Sequence, residues 1–289
     1  MLNVMASTAK SKNPGLVSST RNDDEDNVDW LERQLRVTEM RREVSAKSAP
    51  SDANRAIDRK PTYIILFGGC DRAAFRLRLA QAHLRDDLWP SHWSHAALLG
   101  SPQEEFSKTE LFEVSLQPRL GFESAIESNN GLQTSAISRY SRAQVYPNIC
   151  ILKLEVPMVA WLQQRDEQVA SILEMFTRQR AVLDAPELVL VWLAFLWGVG
   201  RTPNPLFEGH GVPPSAAMID AILSAVGFDI SPSIDSRLSS PESFWQAAKW
   251  WHEFYKGKQA VPINGRYHIH NRIDQGLLKM QTSRQRIPT

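Results

Sequence analysis

Two cysteines in 289 residues, Cys70 and Cys150, are too few for a disulfide scaffold or a cysteine-rich zinc site, so a reducing compartment is the default expectation. Charge of one sign is not in excess either. Thirty-three Lys plus Arg face 32 Asp plus Glu, a net +1, and a chain without a strongly basic balance is not expected to bind nucleic acid. No apolar run reaches the roughly 20 residues that a bilayer span needs. The most apolar stretch, LVLVWLAFLWGV at 188–199, is about a dozen residues long and reads as a buried helix or an interfacial patch. The opening MLNVMASTAKSKNPGLVSST has no apolar core of signal-peptide length. A cytoplasmic protein, or one exported without a cleavable signal peptide, is the expectation.

What the chain does have is 43% apolar residues and nine tryptophans, enough for a folded core with one domain of about 200 residues and appendages. Residues 1–21 are small and polar, and are expected to be disordered. From Asn22, NDDEDNVDWLERQLRVTEMRREV carries acids first and bases last, matching a helix dipole. Trp30, Leu31, Leu35 and Val37 give it a narrow apolar stripe. This helix and the linker after it, residues 22–59, are expected to form an arm that docks a protein partner. The folded domain is expected over 60–257, with a C-terminal extension at 258–289.

Within that domain TYIILFGG is β-rich and stopped by two glycines, as a buried strand would be. CDRAAFRLRLAQAHLRDDL spaces Ala74, Leu77, Ala80 and Leu84 as a helix does, and HWSHAALLG and ELFEVSL read as two short strands. In NICILKLEV, Cys150, Leu152, Leu154 and Val156 share one face, expected to be buried, while Lys153 and Glu155 share the other. Helices are expected over 159–183, 186–198 and 214–226. A fourth follows in SPESFWQAAKWWHEFYKG, with Gly257 past its end and Trp245, Trp250 and Trp251 too crowded for one stripe. The fold class is α+β: a small antiparallel sheet packed with helices, plus the N-terminal helical arm.

Three positions carry a coherent chemistry. His95 starts the strand SHAALL, Glu113 lies in the next strand, LFEVSL, and Ser215 opens the helix SAAMIDAILSAVGF. Adjacent antiparallel strands can set an acid beside an imidazole and orient it. A nucleophile in the first turn of a helix faces unpaired backbone N–H groups and the positive end of the dipole.

These residues, in this order, resemble the circularly permuted NlpC-type group of papain-like hydrolases, itself related to lecithin-retinol acyltransferase-like proteins. WSHAALLG matches that group's S-H-x-x-L strand, LFEVSL its F-E-V strand, and SAAMIDAILSAVGFDI its nucleophile helix with a glycine twelve residues on, here Gly227. The resemblance covers roughly residues 60–257 and implies a permuted papain-like fold. It further implies that position 215 holds the nucleophile, His95 is the general base, Glu113 orients His95, and no cofactor or metal takes part. The residue at 215 is serine where the group has cysteine. A serine variant, a degenerate binding module and a replaced cysteine are the three readings of that departure. Serine cannot rest as the anion and needs a working base.

Each position also has a structural alternative. His95 can be a plain strand histidine, Glu113 competes with Glu110 and Glu123 for distinction, and Ser215 can cap its helix. His92 lies close to His95, but two residues three apart on an extended segment need not share a face; His268 and His270 share a strand face but have no evident third metal ligand. The expected activity is cleavage of an amide, peptide or isopeptide bond in a peptide or protein. The alternatives are a lipid-ester hydrolase or acyltransferase of the same fold, favoured by the apolar run at 188–199 and the Trp-rich region, and an inactive partner-binding module.

Overall fold

The computed structural model describes residues 15–47, 61–114, 132–154, 167, 171–174, 215–231, 239–254 and 263–270. Seven strands form one sheet: β1 (Leu16–Ser18), β2 (Thr62–Gly68), β3 (His95–Leu99), β4 (Glu110–Glu113), β5 (Gln133–Ala136), β6 (Asn148–Leu154) and β7 (Ile263–His268), in the order β1-β7-β6-β2-β3-β4-β5. Helices α1 (Asn27–Lys47), α2 (Arg72–Ala80), α3 (Ser215–Ala225) and α4 (Pro241–Phe254) accompany it. The class is α+β. The sheet is mixed rather than purely antiparallel, because β1 runs parallel to β7 while every other pairing is antiparallel.

Both faces of the sheet are covered. Ile64, Leu66, Ala96, Leu98, Cys150 and Leu152 point to one side, where they pack with Met218, Ile219 and Ile222 of α3 and Phe244 and Trp245 of α4. Tyr63, Ile65, Phe67, Ala97, Ile149 and Ile151 point to the other, against Trp30, Leu31 and Leu35 of α1. This explains why β2 is buried at every position. It also corrects the reading of β6: Cys150, Leu152 and Leu154 are core residues, yet the opposite face is buried too at Ile149 and Ile151.

Two expected boundaries do not separate structure. Residues 16–18, inside the stretch expected to be disordered, pair with Gly265 to Tyr267 of β7, and β7 itself lies in the expected C-terminal extension. The arm helix α1 buries Trp30 and Leu31 completely. Its stripe of apolar residues is narrow, but Trp30, Leu31 and Leu35 join the core on one face of the sheet, so this part of the arm belongs to the core. Of the helices expected over 159–198, residues 171–174 are helical, and Ile172 and Leu173 pack on the α3 side; the run at 188–199 lies outside the described residues. Among the described residues no helix is long and apolar enough to cross a membrane.

Local chemistry sets the helix ends. Asp71 caps α2 by accepting from the amide of Ala74 at 2.8 Å. At the start of α4 the hydroxyl of Ser240 accepts from the amide of Ser243 (3.2 Å) while the hydroxyl of Ser243 accepts from the amide of Ser240 (2.9 Å). This is a reciprocal cap, with Pro241 in the first turn where its missing N–H loses nothing. α3 stops where Gly227 takes φ +78° and Phe228 N–H reaches back to Leu223 C=O at 2.9 Å, a left-handed exit that glycine adopts without penalty.

Candidate functional site

β3 and β4 position the first two site residues. Leu98 faces Phe112 and Leu99 faces Leu111, so one further step of that register sets Glu113 opposite Ala97, on the same sheet face as His95. The diagonal is short enough for contact. His95 Nε2 lies 2.6 Å from Glu113 Oε2, with the Glu113 side chain fully buried and the His95 side chain 11% exposed.

The acid is held from every side. Tyr140, in a short 3-10 turn after β5, donates its hydroxyl to Glu113 Oε2 at 2.5 Å. Ser135 of β5 donates to Oε1, and the guanidinium of Arg139 stands 3.5 Å from the same oxygen. Burial pushes the Glu113 carboxyl up, but the hydrogen bonds from His95, Ser135 and Tyr140 and the charge on His95 outweigh it and hold the group below its ordinary value. The Tyr140 phenol is driven well above its ordinary value by burial and by the Glu113 charge, so it stays protonated and donates. A carboxylate only accepts, so the proton between the pair sits on His95 Nε2. When the ring is neutral, Nδ1 carries the lone pair that a general base needs.

Two other buried acids among the described residues are held by hydroxyl and amide donors. Asp220 accepts from Ser239 at 2.9 Å. Glu242 accepts from Ser91 at 2.6 Å and from Gln246 at 2.6 Å, and burial raises its carboxyl. Both tie helices to loops.

Ser215 opens α3 and is 1% exposed. Its oxygen accepts from the amide of Val114 at 2.7 Å, the residue directly after Glu113. The helix head is therefore pinned beside the acid's backbone, but it arrives from the sheet face that carries Ala96 and Leu98, whereas His95 and Glu113 point to the face that carries Ala97 and Leu111. Among the described residues no hydrogen bond joins Ser215 to His95. The structure brings His95 and Glu113 into contact and sets Ser215 beside Val114, on the other face of the sheet.

Neither cysteine takes the empty role. Cys70 is exposed and donates its thiol to Gln144 C=O at 3.2 Å. Cys150 is buried in the core, where burial raises its thiol well above the usual range. His92, Glu110, His268 and His270 stay outside the pair. His268 Nδ1 lies 3.3 Å from Ser19 C=O, and the described residues contain no group of three or more potential metal ligands. Glu123 lies outside the described residues. Ser135, Arg139 and Tyr140 escaped the sequence reading because QTSAISRY has neither periodicity nor a motif; they become a set only when β5 pairs with β4.

No protein-family model, curated protein or solved structure matches the chain.

Proposed function

We propose that this protein is a hydrolase of the permuted papain-like type, cleaving an amide, peptide or isopeptide bond, with position 215 as nucleophile. The observation that carries this reading is the buried His95–Glu113 pair. Glu113 is ionised, clamped and bonded to Nε2, so His95 keeps Nδ1 for a proton. In the proposed step Nδ1 takes the proton of the residue-215 side chain as its oxygen or sulfur attacks the carbonyl carbon. The imidazolium then returns the proton to the leaving nitrogen as the carbon–nitrogen bond breaks, and water releases the acyl group by the same route. The N–H groups of the first turn of α3 would receive the negative charge on the carbonyl oxygen. The chain order of His95, Glu113 and Ser215 supports this reading through the sequence resemblance.

One observation favours a second reading, an inactive partner-binding module. Ser215 is almost wholly buried, its oxygen already accepts a hydrogen bond from Val114, and it sits on the sheet face opposite the His95–Glu113 pair, all of which count against a nucleophile served by His95. The test is Ser215→Cys in a Cys70→Ser background, treated with an electrophilic peptide probe and followed by peptide mapping, since Cys70 is exposed. A single adduct at position 215 that disappears in the His95→Ala background is expected for the hydrolase. No adduct in the folded variant favours the binding module.

A further inference from the structure

Glu113 and His95 share one neighbour. The hydroxyl of Tyr140 donates to Glu113 Oε2 at 2.5 Å, the oxygen that also accepts from His95 at 2.6 Å. The ring of Tyr140 lies almost parallel to the imidazole, with centroids 5.7 Å apart and planes 14° apart. Phe67 closes the set, stacked on Tyr140 at 4.0 Å and 11°, and Tyr146 tilts against the Tyr140 ring at 4.9 Å.

A histidine base loses its function if the ring turns over or if its proton moves to the other nitrogen. Turning the His95 ring about its Cβ–Cγ bond sweeps it out of the plane that Tyr140 and Phe67 keep. Moving the proton to Nδ1 leaves Glu113 Oε2 facing a lone pair, which is unfavourable as long as that oxygen is fixed in place. Ser135 and Arg139 fix the other oxygen, Oε1, and Tyr140 fixes this one.

We propose that Tyr140 is a positioning residue that locks His95 in the Nε2–H form, its hydroxyl holding the acid and its ring holding the imidazole. The inference deepens the hydrolase reading and rests on it for its functional meaning, but its test does not need turnover. Full-length protein with nitrogen-15 in its histidine rings is examined by NMR at a pH where the rings are neutral, with His95 assigned from His95→Gln. The native chain should give one tautomer, protonated at Nε2. Tyr140→Phe keeps the ring and loses the hydroxyl, and should speed exchange of the Nε2 proton with water about tenfold, the factor expected from one lost charge-assisted hydrogen bond. Tyr140→Leu should show both tautomers, and Tyr146→Phe should match the native chain.

If Tyr140→Leu fails to fold, Tyr140→Phe alone decides. Native exchange and a single tautomer in a folded Tyr140→Phe would make Tyr140 a core residue and nothing more. Loss of labelling at position 215 would remove the hydrolase reading while leaving the tautomer result intact. Persistent labelling with an unaltered tautomer in Tyr140→Phe would remove this inference alone.

Discussion

Replacing Glu113 by glutamine keeps the shape of the side chain and removes its charge. The native carboxylate accepts from His95 and Tyr140 on one oxygen and from Ser135 on the other. An amide can present its oxygen to only one of these sides. With oxygen toward His95 and Tyr140, its NH2 group faces Ser135, whose hydroxyl can reverse and accept, and Arg139, which cannot. With the amide turned round, NH2 faces His95 Nε2, which must then accept, so the ring proton moves to Nδ1 and the base is lost. Either way three charge-assisted bonds become neutral ones, each weaker by about 1 kcal/mol, for a loss of roughly 2–4 kcal/mol of stability.

Glu113→Gln in the Ser215→Cys background should slow alkylation of that thiol at least about tenfold; the same exchange of an orienting acid in a serine-protease triad costs about 10⁴ in turnover through the wrong tautomer. Urea denaturation gives the stability term and iodoacetamide kinetics give the reactivity. Unchanged kinetics in a folded variant would refute the claim that Glu113 governs His95.

Trp30→Ala removes a fully buried ring from α1 and should destabilise the protein by about 3–5 kcal/mol; a urea midpoint close to native would place α1 outside the core. Ser215→Ala strands the buried amide of Val114 and should cost about 1–3 kcal/mol in the same assay, and a native midpoint would refute that bond. His92 is lowered to about 4 from 6.5, first by burial and then by Arg85 and Arg78, against the opposing charge of Asp87. The unfolded chain therefore binds this proton at a higher pH than the folded one. The stability His92 contributes is complete above pH 6.5 and fades as pH falls toward 4, by about 2 kcal/mol at pH 5. Urea curves at pH 7 and pH 5 should lose that much more in the native chain than in His92→Gln, and parallel losses would refute the shift.

The strands β2, β3, β4 and β6 and the helices α2, α3 and α4 were legible because their signals are local: β-branched runs stopped by glycine, apolar residues at helical spacing, and a Ser-Pro-x-Ser cap. The His95–Glu113 pair was legible because it depends on two neighbouring strands and a simple register. β1 was not. Three residues in a polar stretch become a strand only because β7, about 250 residues later, offers them an open edge. The burial of α1 was hidden for a similar reason, since the apolar side of a helix cannot announce a sheet face that β2, β6 and β3 have yet to assemble. The ring around Glu113 joins residues from β3, β5 and a 3-10 turn, and only strand pairing brings them together.

The central claim is that His95, set by Glu113, activates a nucleophile at position 215. The most direct measurement is the iodoacetamide rate of Ser215→Cys near neutral pH, made in a Cys70→Ser background because Cys70 is exposed while Cys150 is buried. A thiol at a helix N-terminus is driven toward thiolate, and further so where an imidazole acts on it. Fast alkylation at position 215 that falls at least about tenfold when His95→Ala is added, with the fold unchanged, is the expected result. An alkylation rate no faster than that of an ordinary thiol of pKa about 8.5, and indifferent to His95, would contradict it.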